Sequence, residues 1–268
     1  MNELKKTFLY SDMDGTLLTG AKLVTQKNID QINRFVSLGG QFSVATGRSE
    51  VIAAPFLSKL PVTRPAIVYN GSAVYDFDKK AFLHREEVPA DLVHLCVKTA
   101  MEVYPKVCAE VYTNGMIELL NKDCVMDHYI PRENQPYCYA SLDSFGFCMK
   151  LLMYGENEEL HKVERAIYEV TGGKGFQSTF SAPYYFEILP EGVSKASALS
   201  WIFEHTDVEP AQTAAIGDFY NDVQMLSLAS LSAAPASSPE DVKTQVNFVV
   251  SDNEHDAVGD FIDRFLIV

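Results

Sequence analysis

The sequence lacks the features that would take a chain into a membrane or onto a nucleic acid. No apolar run approaches the length that spans a bilayer. Positive charge is scarce: 22 Lys and Arg stand against 36 Asp and Glu, a formal net charge of −14. A nucleic-acid backbone calls for a basic footprint, so it is not an expected partner. The start, Met1-Asn2-Glu3-Leu4-Lys5-Lys6, leads into a short apolar run that meets Asp12 almost at once. It has neither the apolar region nor the cleavage site of a signal peptide, and a cytoplasmic location is expected. Cysteines are few, odd in number and unpatterned: Cys96, Cys108, Cys124, Cys138 and Cys148 form no C-x-x-C pair. That favours buried reduced thiols over a disulfide framework or a zinc site. None of the six histidines lies in a metal-spaced motif such as H-E-x-x-H. Repeats and low-complexity stretches are missing too. Hydrophobic residues, at 47%, suffice for one large domain or two modest ones.

What the sequence does have begins at Asp12-Met13-Asp14-Gly15-Thr16. Two carboxylates, one residue apart, follow the apolar run Phe8-Leu9-Tyr10, which reads as a buried strand. Carboxylates fixed at a strand end and aimed at one small volume suit metal-assisted phosphoryl transfer. Taken alone, Asp-Gly between apolar runs is equally a hairpin signal.

The alternation of elements gives the context. Thr25 is placed to cap a helix whose Ile29, Ile32, Phe35 and Val36 share one face, with Gly39-Gly40 as its stop. Phe42 to Ala45 reads as a strand ending at Thr46-Gly47-Arg48. Ser49 caps a further helix, and Ala66 to Tyr69 is another buried strand closed by Asn70-Gly71. This βαβαβ order implies a parallel sheet covered by helices. The pattern then changes. A hairpin is expected around Asp78-Lys79-Lys80 and a helix from Pro89 to Val103. Two strands join through Thr113-Asn114-Gly115, and Phe145 to Tyr154 reads as one strand. A helix over Glu156 to Val170 and two strands, Phe176 to Ser181 and Tyr184 to Leu189, complete this middle part. After Pro190 the alternation returns. Ser194 caps a helix through Phe203, Trp201 packing it against the core. The strand Thr213 to Ile216 ends at Gly217-Asp218, and a helix runs through Met225 and Leu228. Two short strands, Leu231 to Ala234 and Phe248 to Val250, precede a last helix with Val258, Phe261, Ile262 and Phe265. The expected architecture is an α/β fold. One α/β domain with a parallel sheet, residues 1–83 and 188–268, is interrupted by an inserted α+β domain, residues 84–187.

In open parallel sheets, ligands bind beyond the carboxyl ends of the strands. Asp12, Thr46 and Asp218 each follow such an end, and Lys195 opens a helix that can reach the same crevice. Asn221 and Asp222 follow Asp218 closely. Carboxylates crowded together need a cation or raised pKa values. Magnesium fits, with Asp12, Asp218 and the Asp14 carbonyl as partial ligands and waters and phosphate completing the shell. Lys195 and Thr46 supply a charge and a hydroxyl to phosphoryl oxygens. Asp14 is left to move the proton. Each piece has a plainer reading: strand-end punctuation for Thr46-Gly47, a solvated lysine for Lys195, a helix-capping turn for Gly217 to Asp222. A calcium loop does not fit, because Tyr10 and Ala21 would fall at positions that require ligating side chains.

With the four pieces in this order, the chain resembles the haloacid dehalogenase superfamily, and within it the Cof-like phosphatases of subclass IIB. Asp12 to Thr16 resembles the first motif and Ala45-Thr46-Gly47-Arg48 the second. Gly192-Val193-Ser194-Lys195 with Ala198-Leu199 resembles the third. Gly217-Asp218 with Asn221-Asp222 and Met225 resembles the fourth. The resemblance spans nearly the whole chain, including the place of the insertion, and it implies an α/β fold with a Rossmann-like parallel-sheet core and an inserted α+β cap domain. It implies Asp12 as nucleophile and Asp14 as general acid and base. It also implies magnesium held by Asp12, the Asp14 carbonyl and Asp218 with support from Asp222. Thr46, Lys195 and Asn221 would hold phosphate, with Gly47 and Arg48 at the substrate region. It further implies a hairpin flap after the first motif and a turn near the cleft at Asn70-Gly71. Where such proteins often carry an Asn-Ala pair, this chain reads Ala234-Pro235-Ala236-Ser237-Ser238. Asp rather than Thr at position 14 separates it from P-type ATPases, and the acid separates it from dehalogenases.

The implied activity is hydrolysis of a small phosphorylated metabolite, a sugar phosphate or phosphorylated cofactor. A phosphomutase and a silent sugar-phosphate sensor are the alternatives. Tyr112, Asn114, Arg132, Lys150, Tyr184 and Tyr185 are cap candidates for specificity, each with a packing or surface role as the plainer reading.

Overall fold

The computed structural model describes residues 7–125 and 135–267, so Arg132 lies outside the described residues. The chain divides into two compact units. One joins the segment ending at His84 to the segment starting at Ser194; the other is Arg85–Val193.

The first unit is built on a five-stranded parallel sheet. Its strands are β1 (Phe8–Ser11), β2 (Gln41–Val44), β12 (Thr213–Ile216), β13 (Leu231–Pro235) and β14 (Phe248–Val250), ordered β14-β13-β12-β1-β2. The interior strand β1 is buried along its whole length, as a parallel strand covered on both faces should be. Alternate residues feed two cores. Leu9, Phe42, Val44, Ala214 and Ile216 join one, with Ile32 and Phe35 of α1 (Gln26–Ser37). Phe8, Tyr10 and Ala215 join the other, with Ala198, Leu199 and Ile202 of α5 (Lys195–His205). The expected caps are in place: the Thr25 side chain accepts the Asn28 N–H, and Ser49 accepts that of Ile52 at the head of α2 (Glu50–Leu57). Trp201 packs partly buried against the second core, stacked between His84 and His205.

Strand β3 (Ala66–Val68) meets the end of β2 through a parallel bridge from Ala45 to Ile67. It leads into a 3-10 turn, Tyr69–Gly71, and then a small sheet with β4 (Ala73–Asp76) and β5 (Ala81–Arg85). The unit closes with α6 (Val223–Leu228), α7 (Glu240–Lys243) and α8 (Ala257–Phe261), the last running into a π-helical turn, Ile262–Leu266.

Among the described residues, the second unit is a six-stranded sheet, ordered β10-β11-β9-β6-β7-β8, with two helices. The strands are β6 (Cys108–Thr113), β7 (Met116–Leu119), β8 (Tyr137–Tyr139), β9 (Lys150–Tyr154), β10 (Phe176–Ala182) and β11 (Tyr185–Pro190). Its core joins Ala109, Val111, Leu151, Met153, Phe186 and Ile188 to α3 (Ala90–Val103) and α4 (Asn157–Thr171). These strand residues alternate in sequence, so one sheet face meets the helices.

Three expectations are corrected. The strand expected over Phe145 to Tyr154 begins only at Lys150, where its pairing with β6 starts opposite Tyr112. The boundary expected at residue 187 falls inside β11, which belongs whole to the second unit. Among the cysteines, all five are free thiols, but Cys138 is exposed and Cys124 only half-buried.

Candidate active site

The register of the sheet aligns three strand ends. Ser11 at the end of β1 stands opposite Val44 of β2 and Ile216 of β12. The next residues are therefore neighbours: the Asp12 N–H donates to the Ile216 carbonyl at 2.8 Å, and the Ala45 N–H to that of Ser11 at 2.8 Å. Asp12, Thr46 and Gly217-Asp218 leave the sheet at one edge, as the strand pattern requires.

Lys195 is the first residue of α5. Ser194 fixes that start: its hydroxyl accepts the Ser197 N–H at 3.1 Å, and the Ser197 hydroxyl accepts the Ser194 N–H at 2.8 Å. This reciprocal pair satisfies two helix-end donors. Lys195 is 1% exposed, and its Nζ lies 2.5 Å from Asp12 Oδ1 and 2.6 Å from Asp222 Oδ1. The other oxygen of Asp222 accepts the N–H groups of Asp218 at 3.1 Å and Phe219 at 3.2 Å, which folds the loop back on itself. Asp218 accepts the Thr16 hydroxyl at 3.0 Å. Gly15 makes room for it, with φ at +82° and an added Cβ only 2.4 Å from Asp218 Oδ2. A side chain there is excluded on both counts.

Asp12, Asp218 and Asp222 each bring an oxygen within 4.8 Å of the others'. Three carboxylates face one ammonium, a formal surplus of two negative charges. Burial, the largest influence, pushes the Asp12 carboxyl well above the usual range; Lys195 pulls it down, and Asp222 and Asp218 push it up again. Burial and then Asp222 raise Asp218 to about 6. Burial works against the charge of Lys195, but Asp12 and Asp222 outweigh it and raise its pKa. Asp12 Oδ2 is buried with no hydrogen-bond partner. All-oxygen donors, surplus negative charge and an orphaned carboxylate oxygen fit a hard divalent cation.

A second cluster surrounds Asp14. Arg48 grips its carboxylate through Nε at 2.6 Å and Nη2 at 2.8 Å. Lys22 Nζ adds a third contact at 2.6 Å. Burial pushes the Asp14 carboxyl up, but Arg48 and Lys22 outweigh it and hold the group at about 2. Thr46 is buried, its hydroxyl accepting the Arg48 N–H at 3.1 Å. Asn221 lies apart from the acidic cluster's contacts and donates to Asn70 Oδ1 at 3.1 Å. Gly47 packs against the same Asn70 side chain.

The structure thus gathers Asp12, Lys195, Asp218 and Asp222 into one cluster and Asp14 with Arg48 into a second. Sequence reasoning missed Lys22 and the Thr16 hydroxyl. Lys22 had a signal, a lone cation in the polar turn eight residues after Asp14, where a tight hairpin would return it.

Known proteins resemble the chain along most of its length. The pyridoxal phosphate phosphatase YbhA of Escherichia coli is 27% identical over 96% of this chain and 97% of its own. The HMP-PP phosphatase of Shigella boydii is 26% identical over 80% of this chain and 82% of its own. An Arabidopsis thaliana protein named chloroplastic endoribonuclease YBEY is 24% identical over 97% of this chain, which spans only 47% of that longer protein. Among solved structures, a haloacid dehalogenase-like hydrolase from Bacteroides thetaiotaomicron superposes with a TM-score of 0.85 at 24% identity, covering 97% of this chain and 99% of its own. A subclass IIB sugar phosphatase, BT4131, gives 0.81 at 18% identity, covering 98% of this chain and all of its own. The family model for haloacid dehalogenase-like hydrolases matches residues 9–262, from the strand that delivers Asp12 to the closing helix, and the chain belongs to that family.

Proposed function

We propose that the chain is a magnesium-dependent phosphatase that cleaves small phosphorylated metabolites through an aspartyl-phosphate on Asp12. One observation carries the reading: Asp12 is held by Lys195 through one oxygen while its other oxygen is buried without a partner. A nucleophile needs that combination of fixed direction and an available lone pair. The family membership and relatives named for phosphatase activity on pyridoxal phosphate and HMP-PP support the class of substrate.

Asp12, Asp218 and the Asp14 carbonyl would hold magnesium, with Asp222 supporting the set. The ion would offset the surplus negative charge and screen the phosphoryl oxygens from the carboxylates. Asp12 attacks phosphorus in line with the leaving oxygen. Lys195 and the Thr46 hydroxyl donate to the equatorial oxygens, where transition-state charge accumulates. Asp14 protonates the leaving oxygen, then takes a proton from the water that cleaves the acyl phosphate. At rest it is a carboxylate, suited to the second half. In the first half, substrate oxygens compete for Arg48 and Lys22 and let Asp14 carry its proton.

The test is hydrolysis of p-nitrophenyl phosphate with magnesium by the wild type and Asp12→Asn. The expected outcome is loss of nearly all turnover in the variant. Equal rates would overturn the reading.

A further inference from the structure

Two thiols that no sequence spacing relates meet in the second unit. The segment after β7 folds back along the start of β6. The Leu120 N–H donates to the Ala109 carbonyl at 2.9 Å, and the Val125 N–H to that of Lys106 at 2.8 Å. Asn121 pins the bend. Its amide donates to the Pro105 and Val107 carbonyls, each at 2.9 Å, and its oxygen accepts the Asp123 N–H at 3.1 Å. Cys124 is thereby laid beside Cys108, the first residue of β6, and the two thiols are in hydrogen-bond contact.

Cys108, Glu110 and Tyr112 alternate along β6 with Ala109 and Val111, whose face meets the helices. Cys108 therefore lies on the polar face of the strand. It is buried, whereas Cys124 is half-buried and the more accessible of the two. The Cys108 S–H donates to Glu110 Oε1 at 3.7 Å, and the Tyr112 hydroxyl donates to the other oxygen at 3.0 Å. A carboxylate thus stands where it can take the Cys108 proton. Burial, the largest influence, raises the Cys124 thiol above its usual range; Cys108 lowers it, and Glu110 raises it again. Cys124 rests protonated, and the pair is reduced. Two sulfurs already in contact, on backbone segments tied to each other, need little movement to bond.

We propose that Cys108 and Cys124 are an oxidative modification site, at which a small organic disulfide converts the pair into an intrachain disulfide that staples residues 121–125 to β6. The proposal stands apart from the phosphatase reading. Oxidised glutathione is the probe. Cys124 loses its proton to solvent, and its thiolate attacks one glutathione sulfur. A bond from Cys124 to that sulfur forms and the glutathione S–S bond breaks. The first glutathione leaves with the electron pair and takes up a proton. Cys108 then gives its proton to Glu110 and attacks the Cys124 sulfur. The bond between the two cysteines forms and the mixed bond breaks. The second glutathione leaves with its electron pair and takes the proton from Glu110. The cysteine pair is oxidised by two electrons, and one glutathione disulfide is reduced to two thiols. The raised Cys124 thiol keeps the first step slow at neutral pH, so the site answers sustained rather than brief oxidation. Closing the short loop removes open conformations from the tied segment.

The experiment incubates the full chain with oxidised glutathione in mildly alkaline buffer. Remaining thiols are blocked with iodoacetamide, and peptides are mapped by mass spectrometry without reduction. The expected result is a linked pair of peptides carrying Cys108 and Cys124, which dithiothreitol separates. Exposed Cys138 takes a glutathione adduct and shows that the reagent was active. Cys108→Ala is expected to trap glutathione on Cys124, because the resolving thiol is gone, and Cys124→Ser to leave Cys108 unmodified. Hydrogen exchange at residues 121–125 is expected to slow by about fivefold in the oxidised wild type and to recover on reduction. An adduct on Cys138 while Cys108 and Cys124 stay reduced overturns the proposal. So does a glutathione adduct that persists on Cys124 in the wild type. A linked chain whose exchange is unchanged overturns the staple.

Discussion

At the scale of the residue, Lys195 carries the most electrostatic weight. It is a buried cation between Asp12 and Asp222, and removing one member of a buried ion network leaves the others uncompensated. Lys195→Met is expected to destabilise the first unit by about 3–5 kcal/mol, less whatever protonation of the carboxylates relieves. The variant also has one more surplus negative charge at the cluster. Saturating magnesium should therefore raise its Tm more than that of the wild type, because a ligand stabilises in proportion to its affinity for the folded state. Differential scanning calorimetry decides this; a gain no larger than the wild type's would mean that the carboxylates do not hold the ion. The members of this cluster were legible because each stands at a strand end or helix start that the apolar pattern marks. Lys22 and Thr16 were not. Their partners are set by a left-handed turn and by a glycine at φ +82°, conformations that no hydrophobic period encodes.

At the scale of the element, the start of α5 aims Lys195, and two different devices fix it. One is local: the Ser194 capping pair. The other is distant. Gly71, at φ +104°, lies so close to the Ser194 carbonyl that an added Cβ would stand 2.1 Å from its oxygen. Ser194→Ala is expected to cost about 1 kcal/mol, the usual worth of an N-cap, with Ser194→Thr restoring most of it. Gly71→Ala should cost more, because it combines backbone strain with a clash that displaces the turn carrying Lys195. Urea unfolding measures both, and the order of the two costs is the prediction. The local device could be read from Ser194 ahead of an apolar helix; the distant one could not, since Gly71 is far from Ser194 in sequence. The same division explains the strands. β1, β2 and β12 were legible as short apolar runs ending in polar residues. β8 was not, because Tyr137, Cys138 and Tyr139 are all exposed and add to β7 without a buried face. At β9 the apolar residues Phe145 and Phe147 read as strand, though pairing starts only at Lys150.

At the scale of the whole molecule, the change from alternating βα units to a run of strands and back marked an insertion. Its far edge was misplaced, because β11 continues as strand past the expected break. Each core draws all its residues from one unit: Phe35 and Phe42 pack in the first, and Phe186 with Ile188 in the second. Stability then belongs to units, and a single unfolding free energy does not describe a chain of this kind. Truncating a buried Phe typically costs about 3–5 kcal/mol through lost burial and the cavity left behind. Phe186→Ala is expected to weaken hydrogen-exchange protection across β6, β9 and β11 while leaving the amides of β1 and β12 protected as before. Phe35→Ala should do the reverse. Peptide-resolved exchange read by mass spectrometry separates the two patterns. If either substitution lowered protection equally in both sets of strands, the two cores would have to be treated as one cooperative body.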